Sequence, residues 1–234
     1  MSRLATIFMP VSFSSMSENA TPRRRYDATK RRLQSAQTRR RIVDTAARIF
    51  VERGYTAATI PLIAAEAGVA VETVYRSATG KAGLLREAIQ ATLAGGAERA
   101  DLPVEQRPGI QRVIEETDPR RQLRAYAATQ PGVWSRVGPL LRVLDEAAGE
   151  PALAQLRTEL AEQRLHGLRD FAHLLAERGA LKPGLTVDKA RDLIWTLCSQ
   201  GNYDALVTAR GWSHADYREW LAEALTAALL PGES

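Results

Sequence analysis

The feature that most constrains this chain is a pair of short amphipathic segments joined at Gly68. Thr59 is a favoured helix N-cap, and Pro61 falls in the first turn, where its missing N–H costs nothing. Apolar residues then recur at helical spacing until the glycine, which suits a left-handed C-cap. A second segment with helical spacing runs from about Ala70 to Ser77. The spacing therefore predicts two short helices that meet at a tight turn.

The second of these segments has one apolar and one polar face. Val71, Val74 and Ala78 can face a core, which leaves hydroxyls, a phenol and a guanidinium on the other side. Such side chains suit base edges and phosphates in a DNA major groove. The pattern favours a helix-turn-helix that enters DNA, although two ordinary packed helices would have the same spacing. The side chains assigned to the DNA face are Ala70, Glu72, Thr73, Tyr75, Arg76 and Ser77.

The region around these two segments resembles the N-terminal domain of TetR-type transcriptional repressors. The resemblance covers about a fifth of the chain closely and the remainder only in its helical pattern. It implies an all-α fold, with an N-terminal three-helix helix-turn-helix domain and a C-terminal helical bundle for ligand binding and dimerisation. The residues that carry it are Thr38 to Ala47, Phe50, Gly54, Tyr55, Thr59, Ile63, Ala64, Ala67, Gly68, Val69, Thr73, Val74, Tyr75, Arg76, Lys81, Leu84 and Leu85.

Two positions depart from the family pattern. Ala78 stands where the family usually has a Phe that wedges the recognition helix against the first helix, and Thr79-Gly80 stands where Gly-Ser or Pro-Ser is frequent. Loss of a buried ring generally costs a few kcal/mol unless neighbours fill the space. We therefore expect the recognition helix to sit differently or more loosely, which affects the target sequence more than the class of activity.

The basic charge of the chain is concentrated near its N-terminus. Residues 1–41 carry ten Lys and Arg against two Asp and Glu, whereas residues 42–83 carry four of each, in a chain of net charge +5. Such an arm can supply much of the salt-dependent attraction to phosphates, and Arg39 and Arg40 are assigned to DNA contact. The first fifteen residues have no period, and a translation start at Met16 would explain them.

Glycines and prolines divide the chain into segments with helical spacing. Three parts are expected: a disordered basic arm over residues 1–35, a helix-turn-helix domain over residues 36–83, and a helical effector-binding and dimerisation domain over residues 84–234. Helices are expected near residues 36–53, 59–67, 70–77, 81–100, 110–116, 122–129, 134–148, 152–178, 187–209 and 213–230.

The resemblance implies a homodimer that reads a palindromic operator in double-stranded DNA. In TetR-like proteins the last two helices form a four-helix interface with a second subunit, and the last two helices expected here are apolar over more than one face. Arg76 is the best candidate for a guanine contact. Thr59, Tyr75 and Lys81 are expected to hold phosphates, the lysine because the matching family residue does so.

Nothing in the sequence points to an enzyme, a cofactor or a metal site. No nucleophile elbow, P-loop or dinucleotide motif is present, and His166 and His173 share a helix face without metal-ligand spacing. The single cysteine, Cys198, excludes a disulfide within the chain and fits a cytoplasmic protein. No apolar run is long enough to cross a membrane.

The C-terminal part is expected to bind a small apolar effector between its helices. Each residue chosen for that cavity could equally be plain core. An alternative for the whole chain is a helical ligand-binding or interaction module whose DNA-binding domain has decayed, and Ala78 is its main support. The residues expected to line the effector cavity are Tyr126, Trp134, Phe171, Leu175, Trp195 and Tyr203.

Overall fold

All regular structure in the described part of the chain is helical, which confirms the predicted all-α fold. A computed structural model describes residues 22–100, 102–147 and 149–232. Two 3₁₀ turns, Ala97–Arg99 and Val104–Gln106, follow the fourth helix, and a π-helical turn, Asp204–Thr208, follows the ninth. The helices are α1 (Pro22–Ala57), α2 (Ile60–Ala67), α3 (Val71–Ser77), α4 (Gly80–Ala94), α5 (Pro108–Glu115), α6 (Pro119–Glu146), α7 (Pro151–Glu177), α8 (Val187–Leu197), α9 (Gln200–Tyr203) and α10 (His214–Leu229).

Helix α1 begins at Pro22, earlier than the start near Ala36 that the sequence predicted. Proline is well suited to a first helical turn, and the residues after it are mainly Arg, Lys, Ala, Gln and Leu, which are strong helix formers. The basic composition was taken as a sign of disorder up to residue 35, but no Gly or Pro interrupts the helix before Gly54. The disorder predicted for residues 1–21 concerns residues outside the described ranges.

The chain divides into two compact units, residues 1–38 and 39–234. The described residues of the first unit, from Pro22 onward, are helical. The second unit holds the remaining helices and a continuous hydrophobic core. None of the described helices combines the length and the apolar character needed to cross a membrane.

The core of the second unit begins with an apolar stripe on α1. Ile42, Ala46, Ile49 and Phe50 are all buried, and the Phe50 side chain has no exposed surface. The backbone of Gly54 is left-handed, with φ 73°, and interrupts the helical geometry within the range of α1. A residue with a side chain would adopt this conformation only under strain, so this glycine fixes the bend that precedes α2.

Helix α6 is one continuous helix where the sequence predicted two. The prediction placed a break at Pro131-Gly132, because proline in a helix interior removes a hydrogen bond and crowds the preceding turn. In the structure both Pro131 and Pro139 lie inside α6. Pro131, Trp134 and Leu140 are buried, so tertiary packing along this long helix outweighs the local preference.

The single helix predicted over residues 187–209 is broken into several pieces. Helix α8 ends at Leu197, and the Ser199 side chain caps the next turn by accepting a hydrogen bond from Asn202 N at 3.2 Å. The signal that was missed is the N-cap preference of serine in the middle of an apolar run. The start of α10 was predicted correctly: Ser213 and Asp216 form a capping box.

The helices that follow α3 build one bundle. Helix α10 packs against α6 and α8, and α7 packs against α8. Helix α4 contacts both α6 and α7 before it ends at Gly95, whose φ is 87°. It is therefore shorter than the predicted range of residues 81–100, because the left-handed glycine terminates it.

Candidate nucleic-acid interface and ligand-binding core

The turn between α2 and α3 has the geometry that the sequence predicted. Thr59 caps α2, with its Oγ1 accepting a hydrogen bond from Leu62 N at 3.3 Å. Gly68 is left-handed, with φ 63° and ψ 44°, and its N–H donates to the Ala65 carbonyl. Val74 is fully buried and holds α3 onto the core. The two helices therefore meet at a fixed angle and leave one face of α3 uncovered.

The uncovered face of α3 consists of the side chains assigned to DNA. The Tyr75 side chain is 60% exposed, which is unusual for a tyrosine in a packed domain. Two long hydrogen bonds of 3.4 Å hold the Arg76 guanidinium along its own helix, to the Glu72 carbonyl and to Thr73 Oγ1. Because these bonds are weak, a base or phosphate can replace them without a large loss. Ala70, Glu72 and Arg76 are exposed, and Thr73 and Ser77 are partly exposed.

Lys81 lies close to the bend at the end of α1. Its Nζ donates to the Tyr55 carbonyl at 2.8 Å and lies 4.0 Å from the centroid of the Tyr55 ring. Burial and the nearby carboxylate of Glu150 raise the pKa of Tyr55 to about 12. The amine that the resemblance assigns to a phosphate is thus also a structural link between α4 and α1. The phosphate contact of Lys81 stays a prediction.

The two arginines assigned to DNA from the basic arm differ in their surroundings. The Arg39 guanidinium forms an ion pair with Glu87 on α4, with Nη2 and Oε1 separated by 3.0 Å. Arg40 is exposed. Thr59 is exposed as well, although its hydroxyl already serves the α2 cap. Arg40 is therefore the arginine of this pair whose charge is better placed for phosphates, and all three contacts stay predictions.

The small residue at position 78 does not leave an open space at the end of α3. Ala78 is 8% exposed, its backbone is extended, and its N–H donates to the Val74 carbonyl at 3.1 Å. Among the residues of α3 itself, however, Val74 is the only buried one. Helix α3 therefore packs against the core through one buried side chain of its own, that of Val74, and through Ala78 at its end.

The residues expected to bind an effector fall into three neighbouring groups. The Tyr126 and Phe171 rings have centroids 4.6 Å apart, and Leu175 on the same helix as Phe171 is fully buried. The Tyr203 ring packs edge-on against the fully buried Tyr217. The remaining pair, Trp134 and Trp195, is connected through a residue that was not predicted.

That residue is Arg164, on α7. Its guanidinium carbon lies 4.2 Å from the Trp195 ring centroid and 5.4 Å from that of Trp134. The Nη2 atom donates to the Cys198 carbonyl at 2.8 Å and to the Trp195 carbonyl at 3.2 Å. Burial lowers the pKa of Arg164. The available signal was its position: Arg164 continues a stripe with Leu168 at helical spacing, so a charge lies in an otherwise apolar face.

A surface cleft lies away from these three groups of residues. A cleft of about 330 Å³ is lined by residues of α1, α4 and α6, including Arg48, Arg136 and Pro139. None of the six predicted effector residues lines it. In the described ranges, no cluster of three or more His, Cys, Asp or Glu side chains could hold a metal ion. His166 pairs with Asp170 on the surface of α7, at 3.7 Å.

Helix α4 connects the three N-terminal helices to the rest of the bundle. Arg86 on α4 forms an ion pair with Glu159 on α7, and this hydrogen bond lowers the pKa of Glu159. One residue further along α4, Glu87 holds Arg39 on α1. A displacement of α7 would therefore act on α4 through a charged contact, and α4 begins directly after the recognition helix.

Comparisons with known proteins bear on the N-terminal helices and on the fold. Residues 42–88 match the family model of bacterial regulatory proteins of the tetR family. No curated protein sequence matches the chain significantly. The solved structure of NalD from Pseudomonas aeruginosa, described as the secondary repressor of the MexAB-OprM multidrug efflux pump, is 22% identical, with 86% of this chain and 100% of NalD covered and a TM-score of 0.65.

Two further solved structures have the same fold. FadR from Bacillus subtilis, solved in complex with stearoyl-CoA, is 20% identical over 79% of this chain and 96% of its own, with a TM-score of 0.62. A Mesorhizobium loti protein assigned to the TetR-family transcriptional regulators is 22% identical, with 84% of this chain and 98% of its own chain covered and a TM-score of 0.64. Residues 42–88 therefore match the tetR family of bacterial regulatory proteins, and the chain has the fold of these solved transcriptional regulators.

Proposed function

We propose that this protein is a repressor that binds a palindromic operator as a homodimer and leaves it when a small molecule binds the C-terminal bundle. The observation that carries the proposal is the exposed polar face of α3, with Tyr75 and Arg76 held on a buried core by Val74. The relatives support it: NalD is described as a repressor, and FadR was solved with an acyl-CoA. Residues 36–83 are the DNA-binding part in this proposal, and residues 84–234 are the effector-binding and dimerisation part.

Each subunit would place its α3 in a major groove. The two recognition helices of a dimer read half-sites whose centres are about 34–36 Å apart, or somewhat further apart. Arg76 would contact a guanine, because its guanidinium can donate to both O6 and N7. Tyr75, Thr59 and Lys81 would hold phosphates, and Arg40 would add charge from the N-terminal arm.

The dimer would form through the outer faces of the last helices. Leu193 on α8 is 36% exposed and Trp212, just before α10, is 37% exposed. The Trp212 ring packs edge-on against Trp220, with centroids 6.4 Å apart. Exposed apolar side chains of this kind are found at protein interfaces. A second copy of the chain is the partner that the family fold implies for this surface.

Release would follow from a change in α7. An effector held among Tyr126, Phe171 and Trp195 would bind one arrangement of the bundle better than another, and this difference shifts the population. The ion pair between Glu159 and Arg86 passes a displacement of α7 to α4. A small rotation of α4 in both subunits would change the distance between the two recognition helices. The protein would act in the cytoplasm, without a catalytic step, a cofactor or a metal.

The alternative, a ligand-binding module with a decayed DNA-binding domain, is favoured by one observation. Val74 is the only buried residue of α3, and the wedge aromatic of the family is replaced by Ala78. If this attachment is too weak, α3 would not hold a fixed position on DNA.

A gel shift with the DNA upstream of the chain's own gene, at about 50 and 200 mM salt, separates the two functions. A repressor retards this DNA, resists competition by unrelated DNA, and binds about 10³-fold or more weakly at the higher salt, because each phosphate contact releases counterions. A decayed domain gives no retained band at either salt concentration. A band that unrelated DNA removes equally well would also contradict the proposal.

A further inference from the structure

The centre of the C-terminal bundle contains a positive charge without a negative partner. Arg164 is partly buried, and both of its hydrogen bonds go from Nη2 to backbone carbonyls. In the part of the chain that the structure describes, no carboxylate lies within ion-pair distance of this guanidinium, and the charged or titratable groups near it are Tyr126, Cys198 and Tyr217. Buried charges are normally paired, because removing an ion from water is costly.

Two hydrogen-bond donors beside Arg164 also lack partners. The indole Nε1 of Trp134 and the hydroxyl of Tyr217 are buried and make no hydrogen bond within the described residues. The two side chains are 6% and 0% exposed. Folded proteins contain few such groups, and each one is explained by strain, by water or by a ligand. Two donors without a partner, close to a cation without a carboxylate, point to an anion.

The single charge of Arg164 and the aromatic rings beside it indicate which class of anion would bind. One guanidinium balances one negative charge, which favours a monoanion such as a carboxylate. The indole rings of Trp195 and Trp134 both lie against the guanidinium, and Trp195 is partly exposed whereas Trp134 is buried. In this proposal the ligand approaches Arg164 along the exposed side of Trp195. Ring faces on this path suit a flat apolar body.

We propose that Arg164, Trp134 and Tyr217 bind the carboxylate of the effector, and that the effector is a monocarboxylate with a flat aromatic body. This inference rests on the proposed release by a small molecule and names its chemical class. It differs from the small apolar effector that the sequence analysis expected. The N–H groups on Nε and Nη1 of Arg164, which the backbone carbonyls have not used, lie on opposite edges of the guanidinium, so a carboxylate oxygen would accept from one of them.

Calorimetric titration of the full chain with 1-naphthoate and with neutral 1-naphthamide tests this inference. The two compounds have nearly the same shape and differ in charge. The wild-type protein should bind the carboxylate about tenfold more tightly or better, because a charge-assisted hydrogen bond is gained. Arg164→Met should bind both compounds with the same low affinity. Arg157→Met removes an exposed arginine from the same helix and should keep the wild-type preference.

A second variant separates ligand binding from folding. Tyr217→Phe removes only a hydroxyl that has no partner, so its thermal unfolding midpoint should equal or exceed that of the wild type. Its affinity for naphthoate should fall several-fold, about the loss expected for one hydrogen bond to a charged group, whereas its affinity for naphthamide should stay unchanged. This variant decides the inference if Arg164→Met does not fold.

Three results would overturn the inference: no binding of naphthoate, equal affinity for the two compounds, or an unchanged preference in Tyr217→Phe and in a folded Arg164→Met. Operator binding is measured on the same preparations without ligand. DNA binding that is retained while the carboxylate preference is absent rejects only this inference. Absence of DNA binding rejects the proposed function and leaves the calorimetric result valid.

Discussion

Arg76 is the residue on which sequence recognition depends in this account. It projects from the exposed face of α3 and is held only by two hydrogen bonds of 3.4 Å. Arg76→Ala should relax the preference for one base pair in each half-site by about 1–3 kcal/mol, while general affinity for DNA falls less. Competition binding with operators changed at single positions measures this. Arg157→Ala is the control, and equal discrimination by both variants would contradict the assignment.

Lys81 has a structural role that the sequence did not indicate. Its amine donates to the Tyr55 carbonyl and lies over the Tyr55 ring. Lys81→Ala should lower the free energy of unfolding by about 1–2 kcal/mol, through loss of a charged hydrogen bond and a cation–π contact. Urea unfolding measures the change, with the exposed Lys189→Ala as control. If the two variants were equally stable, Lys81 would act on DNA alone.

Cys198 should be inert in the folded protein. The side chain has no exposed surface, and burial raises the pKa of its thiol to about 12, although the nearby Arg164 lowers it. Because the thiolate is the reactive form, the group stays protonated and unreactive at pH 8. Ellman's reagent should modify the native protein more than about 100-fold more slowly than the urea-unfolded protein. Rapid modification of the native protein would show that this part of the core opens.

Individual residues were predictable where local chemistry determines them. Thr59 and Gly68 occupy the cap positions assigned to them, because capping depends on a few neighbouring atoms. Arg164 was missed although its place in an apolar stripe is readable. The carbonyls that it binds come from α8, and no local pattern in α7 reports a contact with another helix.

At the scale of elements, the ion pair between α4 and α7 is the contact to test. Arg86 and Glu159 should show a favourable coupling free energy of unfolding in a double-mutant cycle at pH 7. The pKa of Glu159 is lowered in the folded protein, so this contribution is complete above the usual value of 4.5 and is lost as the pH falls through the lowered pKa. Coupling that persisted in full under acid conditions would contradict the contact.

A matched cycle keeps this measurement specific. Glu162 is exposed on the same helix and makes no described contact with Arg86. Combined substitutions of Arg86 and Glu162 should show no coupling at either pH. Equal coupling in both cycles would indicate a general charge effect of α7 and not a contact between two side chains.

The helices were predicted well where local signals and packing agree, and poorly where they conflict. A break at Pro131 was predicted for α6, but burial of Trp134 and Leu140 keeps the helix continuous. After α8 a continuous helix was predicted from a long apolar run, but the cap at Ser199 begins a new helix there. The start of α1 was placed too late, because basic composition was read as disorder although the residues are strong helix formers.

At the scale of the whole molecule, the account requires two copies of the chain. Leu193 on α8 and Trp212 before α10 are exposed apolar side chains that a second subunit would cover. Sedimentation velocity at micromolar concentration should give a dimer, and Leu193→Glu should shift it toward monomer, because a buried unpaired charge opposes association. The exposed α6 variant Arg124→Glu is the control. A wild-type monomer at these concentrations would contradict the proposed symmetry.

The central claim is that a dimer of this chain reads DNA through the exposed face of α3. Selection from random duplex DNA by the purified full chain tests it most directly, because neither the operator nor the effector needs to be known. We expect the wild-type protein to enrich one motif with two inverted half-sites. The Arg76→Ala variant should lose a defined base preference in both half-sites. Absence of any enriched motif, or enrichment of a single asymmetric half-site, would contradict it.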